Sequence, residues 1–275
     1  MVDEIDIWIY GLIPFTKICA HSLKSSLIQI YAVHLIPLTQ SCPKLIPSLI
    51  LALLPLIEEE DSEYFELVVE HLDKFASSIT RPIFYNHLWD CMTNCNAARL
   101  PGLIYLSRRL PKFSNAEDFM CNHPPKTHQT VLKCFAALLF DPVVLVNRLA
   151  LTMLCNTFPL SSCIGLFDNL KSLVANVISV ILRRESSLNR RVFEWIGHSP
   201  DISMSTPEAM GIGISIYTKS FTTSCFELED QLIRHISILT SLMDYPKIGL
   251  EVLRSTFWLM LEAVSSMRGN HDVLA

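Results

Sequence analysis

The densest chemistry in this sequence is a run of arginines. In LRRESSLNRR, Arg183 and Arg184 close one helical stretch and Arg190 and Arg191 open the next, so four of the 22 basic residues fall within nine positions of a chain with formal net charge -5. A guanidinium grips carboxylate or phosphate through two parallel N–H donors, and such a cluster suits an acidic protein partner or a phosphoinositide head group. The same residues also have a structural use. Arg183 and Arg184 can complement the carbonyl end of the first helix, while Ser186 or Ser187 caps the second. Arg108 and Arg109 would extend the patch if a superhelix brought both turns to one edge.

A second group is His87, Cys91 and Cys95, spaced i, i+4, i+8 on one predicted helix, with Cys121 and His123 downstream. Zinc needs about four such ligands converging at about 2.0–2.3 Å, and usually takes them from tighter pairs than Cys91-x3-Cys95. A helical metal hydrolase is one use of the group. Small reduced thiols packed in a core are the other. No Ser or Cys sits on a Gly-flanked elbow of the kind that presents a nucleophile. Gly211 and Gly213 lack the strand, the full spacing and the later acid of a dinucleotide loop, and read as packing or turn glycines. The acids Glu58 to Asp61 fall between two helices, where they favour the second one's N-terminus. The expectation is a non-enzymatic protein with no catalytic, cofactor or metal site.

Composition says what must hold these residues. The chain has 275 residues, 50% hydrophobic and 18% charged, so it can bury a large core. Only 8 Gly accompany 15 Pro. Sheets, barrels and cofactor loops call repeatedly for positive φ, whereas helix pairs joined by Pro-bearing turns do not, so the class is all-α. Mild acidity removes the basic field of a dedicated nucleic-acid binder. Nine scattered Cys and no N-glycosylation sequon favour a reducing, cytosolic setting. MVDEIDIW lacks the basic start of a signal peptide, and the most apolar run, Leu45 to Ile57, has 13 residues and two prolines. A membrane span needs about 20.

Apolar residues recur at helical spacing through Tyr64, Val68, His71, Leu72 and Phe75, through Leu166, Leu170, Leu173, Val174, Val177 and Ile181, and through Leu232, Ile233, Ile236, Leu239 and Leu242. Asp61 and Ser62 offer N-caps to the first of these. Between the prolines the pattern predicts helices over 4–19, 22–36, 43–57, 62–78, 81–95, 98–110, 126–140, 142–157, 164–184, 188–197, 206–222, 227–243 and 246–264. Ile212 to Tyr217 alternates briefly, yet reads best as helix. Pairs of about 40 residues suit a HEAT- or armadillo-like α-α superhelix, a single helical-repeat domain over 1–275 with loops near 112–126 and 198–205.

Several segments, in order, resemble one family. SLILALLPLIEEEDSEYF (Ser48 to Phe65) and LDKF (Leu72 to Phe75) are followed by FYNHLWDCM, ARLPGLIYLSRRL and DPVVLVNRLALTMLCNTFPL, and LRRESSLNRRVFEWIGH (Leu182 to His198) matches best of all. Together they resemble the N-terminal region of the Dopey family of large membrane-trafficking proteins. The resemblance spans roughly residues 8–200 and grows diffuse beyond. It departs at Leu56, where the family tends to have Gly, at Ile196-Gly197, and over Ser114 to Thr127. What it implies is a scaffold without enzymatic activity in Golgi–endosome vesicular transport, peripheral to Golgi, trans-Golgi network and endosome membranes on their cytosolic side. The partners it implies are a large Sec7-related helical scaffold of the Golgi, kinesin light chain and phosphatidylinositol 4-phosphate membranes, with no nucleic acid. This chain is then expected to be a fragment or truncated product of a far longer protein. A generic helical-repeat adaptor outside trafficking is the alternative that the residues alone leave open.

Overall fold

Every element that the computed structural model describes is helical. The described residues are 11, 15–57, 62–110, 125–163, 170–197, 213–214, 216–217, 229–243, 249–250, 252–254 and 256–258, and no strand occurs among them. The described helices of nine residues or more are α1 His21–Ile30, α2 Leu45–Leu53, α3 Phe65–Ser78, α4 Arg81–Asn94, α5 Asn96–Arg109, α6 Pro125–Leu139, α7 Val144–Thr157, α8 Leu170–Ser179, α9 Ser186–Ile196 and α10 Glu229–Met243. None is long and apolar enough to cross a membrane among the described residues. The chain divides into two compact units, with the border between Leu149 and Ala150.

In the first unit, α4 packs on α2 on one side and on α6 on the other, and it also meets α3 and α5. Alternate helices therefore lie side by side, the arrangement by which stacked antiparallel pairs bury a continuous core. The predicted stripe of α3 faces inward: Val68, Leu72 and Phe75 are fully buried. Phe84 of α4 meets Phe75 of α3 and Tyr105 of α5 edge to face, at 5.6 and 5.9 Å, which locks three helices at one point. Trp89 on the same helix lies 5.8 Å from Phe135 of α6. Such pairs contribute about 0.5–1.5 kcal/mol each beyond burial. Gly102 sits where α5 crosses α4 so closely that a Cβ would strike the Met92 side chain.

Short irregular turns punctuate the helices where the sequence predicts uniform ones. After α1 the chain widens into a π turn, Tyr31–Leu35, before Ile36–Leu38. Pro37 lies just beyond, where its ring would crowd the carbonyl of Val33, and the wider turn relieves that clash. Leu54–Ile57 tightens to 3-10 geometry around Pro55. Ser62 does not cap α3: its Oγ accepts from the Tyr64 N–H at 3.4 Å, and the helix starts at Phe65 with no side-chain cap. Asp61 lies outside the described residues. Residues 125 and 126 already belong to α6, so the helix takes in the end of the predicted loop, and residues 112–124 of that loop lie outside the described residues. The loop near 198–205 and most of the predicted helices 4–19 and 206–222 lie outside the described residues, although 213–214 and 216–217 are helical.

In the second unit, α8 runs into a 3-10 turn, Val180–Arg183, on which α9 and α10 both pack. Leu170, Leu173, Val174, Val177, Ile178 and Ile181 are buried, as their spacing predicts. Ile238, Leu239 and Leu242 of α10 are buried too. Gly213 lies against α9, where a Cβ would come within 2.6 Å of the Ile196 side chain, which makes it a packing glycine.

Candidate functional site

The arginine turn is built by an abrupt change of backbone. The Val180–Arg183 turn ends on Arg184 in the left-handed region, φ 56, its N–H donating to the Ile181 carbonyl at 3.0 Å. Glu185 is extended, and its carbonyl accepts from Leu188 and Asn189 at 3.0 and 2.9 Å to start α9. Neither Ser186 nor Ser187 caps α9, contrary to the sequence expectation. Both are already inside its first turn, and Glu185 stands at the cap position without a side-chain bond.

Amphipathicity then sorts the four arginines. Leu188, Val192, Phe193, Trp195 and Ile196 form the buried face of α9. Arg191 lies beside that face and is half-buried. Its Nε donates to Thr152 Oγ1 and its Nη1 to the Ser187 carbonyl, both at 2.9 Å, while the Arg191 carbonyl accepts from Cys155 Sγ. One helical turn on, Trp195 Nε1 donates to the Phe158 carbonyl at 2.7 Å, so the same seam is sealed twice. Arg183 is half-buried and engaged as well. Arg184 and Arg190 are exposed, one on each side of the turn. The four residues are brought together by the backbone, but they divide into two that hold the fold and two that face solvent.

Arg108 and Arg109 are committed within the first unit. Arg108 lies 4.4 Å above the Phe65 ring and 2.8 Å from Glu66 Oε1, and Arg109 pairs with Asp73 at 2.8 Å. The hydroxyl of Tyr105 donates to the other Asp73 oxygen at 2.9 Å, and burial, helped by neighbouring Tyr85 and Asp73, pushes that phenol far above its usual range.

The His87, Cys91 and Cys95 group does not converge. His87 is half-buried, and desolvation lowers its pKa. The Cys91 thiol donates to the Pro47 carbonyl at 3.7 Å, and burial pushes it up to about 12. Cys95 has left the helix in an extended conformation. Among the described residues no three His, Cys, Asp or Glu side chains meet as a metal set. Cys121 and His123 lie outside those residues.

One buried polar network in the first unit went unmarked in the sequence. Arg99 caps the end of α4 by donating to the Met92 and Thr93 carbonyls at 3.1 and 3.3 Å, and pairs with Asp141 Oδ2 at 2.7 Å. Asp141 Oδ1 accepts from the Val143 N–H, and the fully buried Asn147 amide donates to the Leu138, Leu139 and Asp141 carbonyls. Asp-Pro before an apolar run is the one local signal that announces this turn.

A family model described as Dopey, N-terminal, matches residues 1–201. Among curated proteins, one named Protein DOP1 homolog from Drosophila pseudoobscura pseudoobscura is 30% identical over 190 residues, which is 68% of this chain and 7% of that protein. Protein DOP1B of Mus musculus is 26% identical over 98% of this chain and 13% of its own length. Protein DOP1 of Saccharomyces cerevisiae is 23% identical over 100% and 20%. The chain therefore spans a fifth or less of these relatives, and the similarity continues past residue 201. No solved structure matches it.

Proposed function

The chain belongs to the Dopey family through its N-terminal region, and from that premise we propose that it serves as a non-enzymatic scaffold in Golgi–endosome vesicular protein transport. The single observation that carries this reading is the family match over residues 1–201, and helices that stack on one another suit a scaffold. The partners are a large Sec7-related helical scaffold and kinesin light chain, and nucleic acid is not among them.

The contact proposed for anionic partners is the turn carrying Arg183, Arg184, Arg190 and Arg191, with phosphatidylinositol 4-phosphate membranes as its lipid. Arg184 and Arg190 supply the accessible forks, and Arg191 fixes the helix that presents Arg190. The test is affinity capture from cell extract with the 275-residue chain as bait, alongside flotation with vesicles containing or lacking the phosphoinositide. Recovery of the Sec7-related protein supports the reading. A bait that recovers no trafficking protein and floats equally with both vesicles overturns it.

A further inference from the structure

We infer that Ser186 is a phosphorylation site for an arginine-directed serine kinase, and that its phosphate closes on Arg190 and Arg184 and so withdraws both from anionic partners. The withdrawal deepens the anionic contact proposed above and rests on it; the modification site rests on this chain's own residues. Arg183, Arg184, Glu185 and Ser186 spell Arg-Arg-x-Ser, a pattern that occurs once in the chain. Guanidiniums three and two positions before a serine hydroxyl are what an acidic substrate cleft can grip, and kinases sort their substrates by such charge patterns.

The fold selects between the two adjacent serines. Ser186 is exposed, and among the described residues its hydroxyl has no hydrogen-bond partner. Ser187 Oγ is shut away from solvent, and its carbonyl holds Arg191 Nη1 at 2.9 Å. A kinase takes its substrate extended. The approach to Ser186 is already extended at Glu185 and left-handed at Arg184, and α9 starts without a side-chain cap. Presenting Ser186 therefore needs the first turn alone to open, up to Leu188, whose fully buried side chain anchors the rest of the helix. That opening gives up the bonds from the Leu188 and Asn189 N–H groups to the Glu185 carbonyl, and it must reach back to the half-buried Arg183.

In the transfer, the Ser186 Oγ–H bond breaks and an Oγ–P bond forms as the γ-phosphoryl group leaves ATP. ADP departs with the electron pair of the broken P–O bond, and the proton passes to the carboxylate base of the kinase. The product carries about −1.5 to −2 charge at pH 7 and three acceptor oxygens. Arg190 lies four residues on, a spacing that makes side chains neighbours on one helix face, with ~5–6 Å between Cβ atoms. Arg184, exposed as well, stands two residues before. Among the described residues no ion pair holds either guanidinium. A phosphate tethered beside them competes at high effective concentration with any head group arriving from solution.

The experiment incubates the 275-residue chain with the catalytic subunit of a cyclic-AMP-dependent kinase and magnesium ATP, and maps the phosphate by mass spectrometry. Modification at Ser186 is expected. Ser187→Ala should keep it, Ser186→Ala should lose it, and Arg184→Gln should slow incorporation several-fold. Phosphorus NMR then titrates the phosphate, whose second pKa should lie below its usual value of about 6 and move back toward it in Arg190→Gln. The phosphorylated chain should float several-fold less than the unmodified one with vesicles containing phosphatidylinositol 4-phosphate. A Ser186 left unmodified, or modified equally fast in Arg184→Gln, overturns the site. A phosphate pKa indifferent to Arg190→Gln, or equal flotation of the two forms, overturns the withdrawal. Flotation by neither form sinks the anionic contact itself, and the mass and NMR readouts then judge the site alone.

Discussion

Arg99 Nη1 and Asp141 Oδ2 lie 2.7 Å apart, although 42 residues separate them, and their side chains are only 12% and 3% exposed. A charge pair this deep has lost most of its water. It persists because each partner's remaining valences are filled: Arg99 by the carbonyls closing α4, and Asp141 by the Val143 N–H opening α7. The α4–α5 and α6–α7 turns are thereby tied to one another within the first unit.

Removing one member of such a pair strands the other. Asp141→Ala should destabilise the chain by about 3–5 kcal/mol, whereas the double variant Arg99→Met, Asp141→Ala should recover a large part of that loss. Urea unfolding of the three variants and the parent forms the cycle. Additive losses would show that the two residues act independently and would contradict the pairing.

Within the arginine turn, neighbours should behave differently. Arg191→Lys loses the planar fork that spans Thr152 and the Ser187 carbonyl, and should cost about 1–2 kcal/mol. Arg190→Lys, on the exposed side, should stay within about 0.5 kcal/mol of the parent. Binding to anionic vesicles should respond in the opposite way: Arg184→Glu with Arg190→Glu should weaken flotation while the melting curve stays in place. A parent-like fold that floats unchanged would remove the anionic contact from the proposed function.

The helices were largely legible because burial repeats every three or four residues, as at Val68, Leu72 and Phe75 or at Leu170, Leu173, Val174 and Val177. Caps were less so. Ser186 and Ser187 have the right chemistry, but the left-handed turn at Arg184 leaves Glu185 at the cap position and puts both serines inside the first turn. The clustering of four arginines was equally plain, whereas their division into holding and facing pairs depends on where the face of α9 points. Arg99 and Asp141 carry no mutual signal in a linear sequence, because their meeting is a product of stacking.

Two positions hold positive φ without glycine: Thr80 at 76 and Arg184 at 56. Thr80, just before α4, is β-branched, and such backbone costs about 1–3 kcal/mol. Thr80→Gly should therefore raise the melting temperature by about 2–4 °C, despite glycine's greater entropy when unfolded. Arg184→Gly should give a smaller gain in the same direction. Calorimetry decides, and a lower melting temperature for Thr80→Gly would mean that no strain is stored there.

The last expectation concerns the thiols. Burial pushes Cys91, Cys134 and Cys163 up to about 12, against an ordinary 9.0, so in the folded chain they stay protonated where unfolded thiols ionise. Above pH 9 the folded state thus holds more protons than the unfolded one, and stability must fall as pH rises. Their contribution is fully present below about pH 9 and is lost progressively between pH 9 and 12. Urea midpoints should accordingly be level from pH 8 to 9 and decline steeply by pH 10.5, less so in a Cys91→Ala variant. The same burial makes these groups poor nucleophiles. Iodoacetamide at pH 8.5 should spare Cys91, Cys134 and Cys163 until urea is added, while the partly exposed Cys42 and Cys95 react in the native chain. Rapid native labelling of Cys134, or a midpoint that climbs above pH 9, would show that these thiols are not sealed in the core.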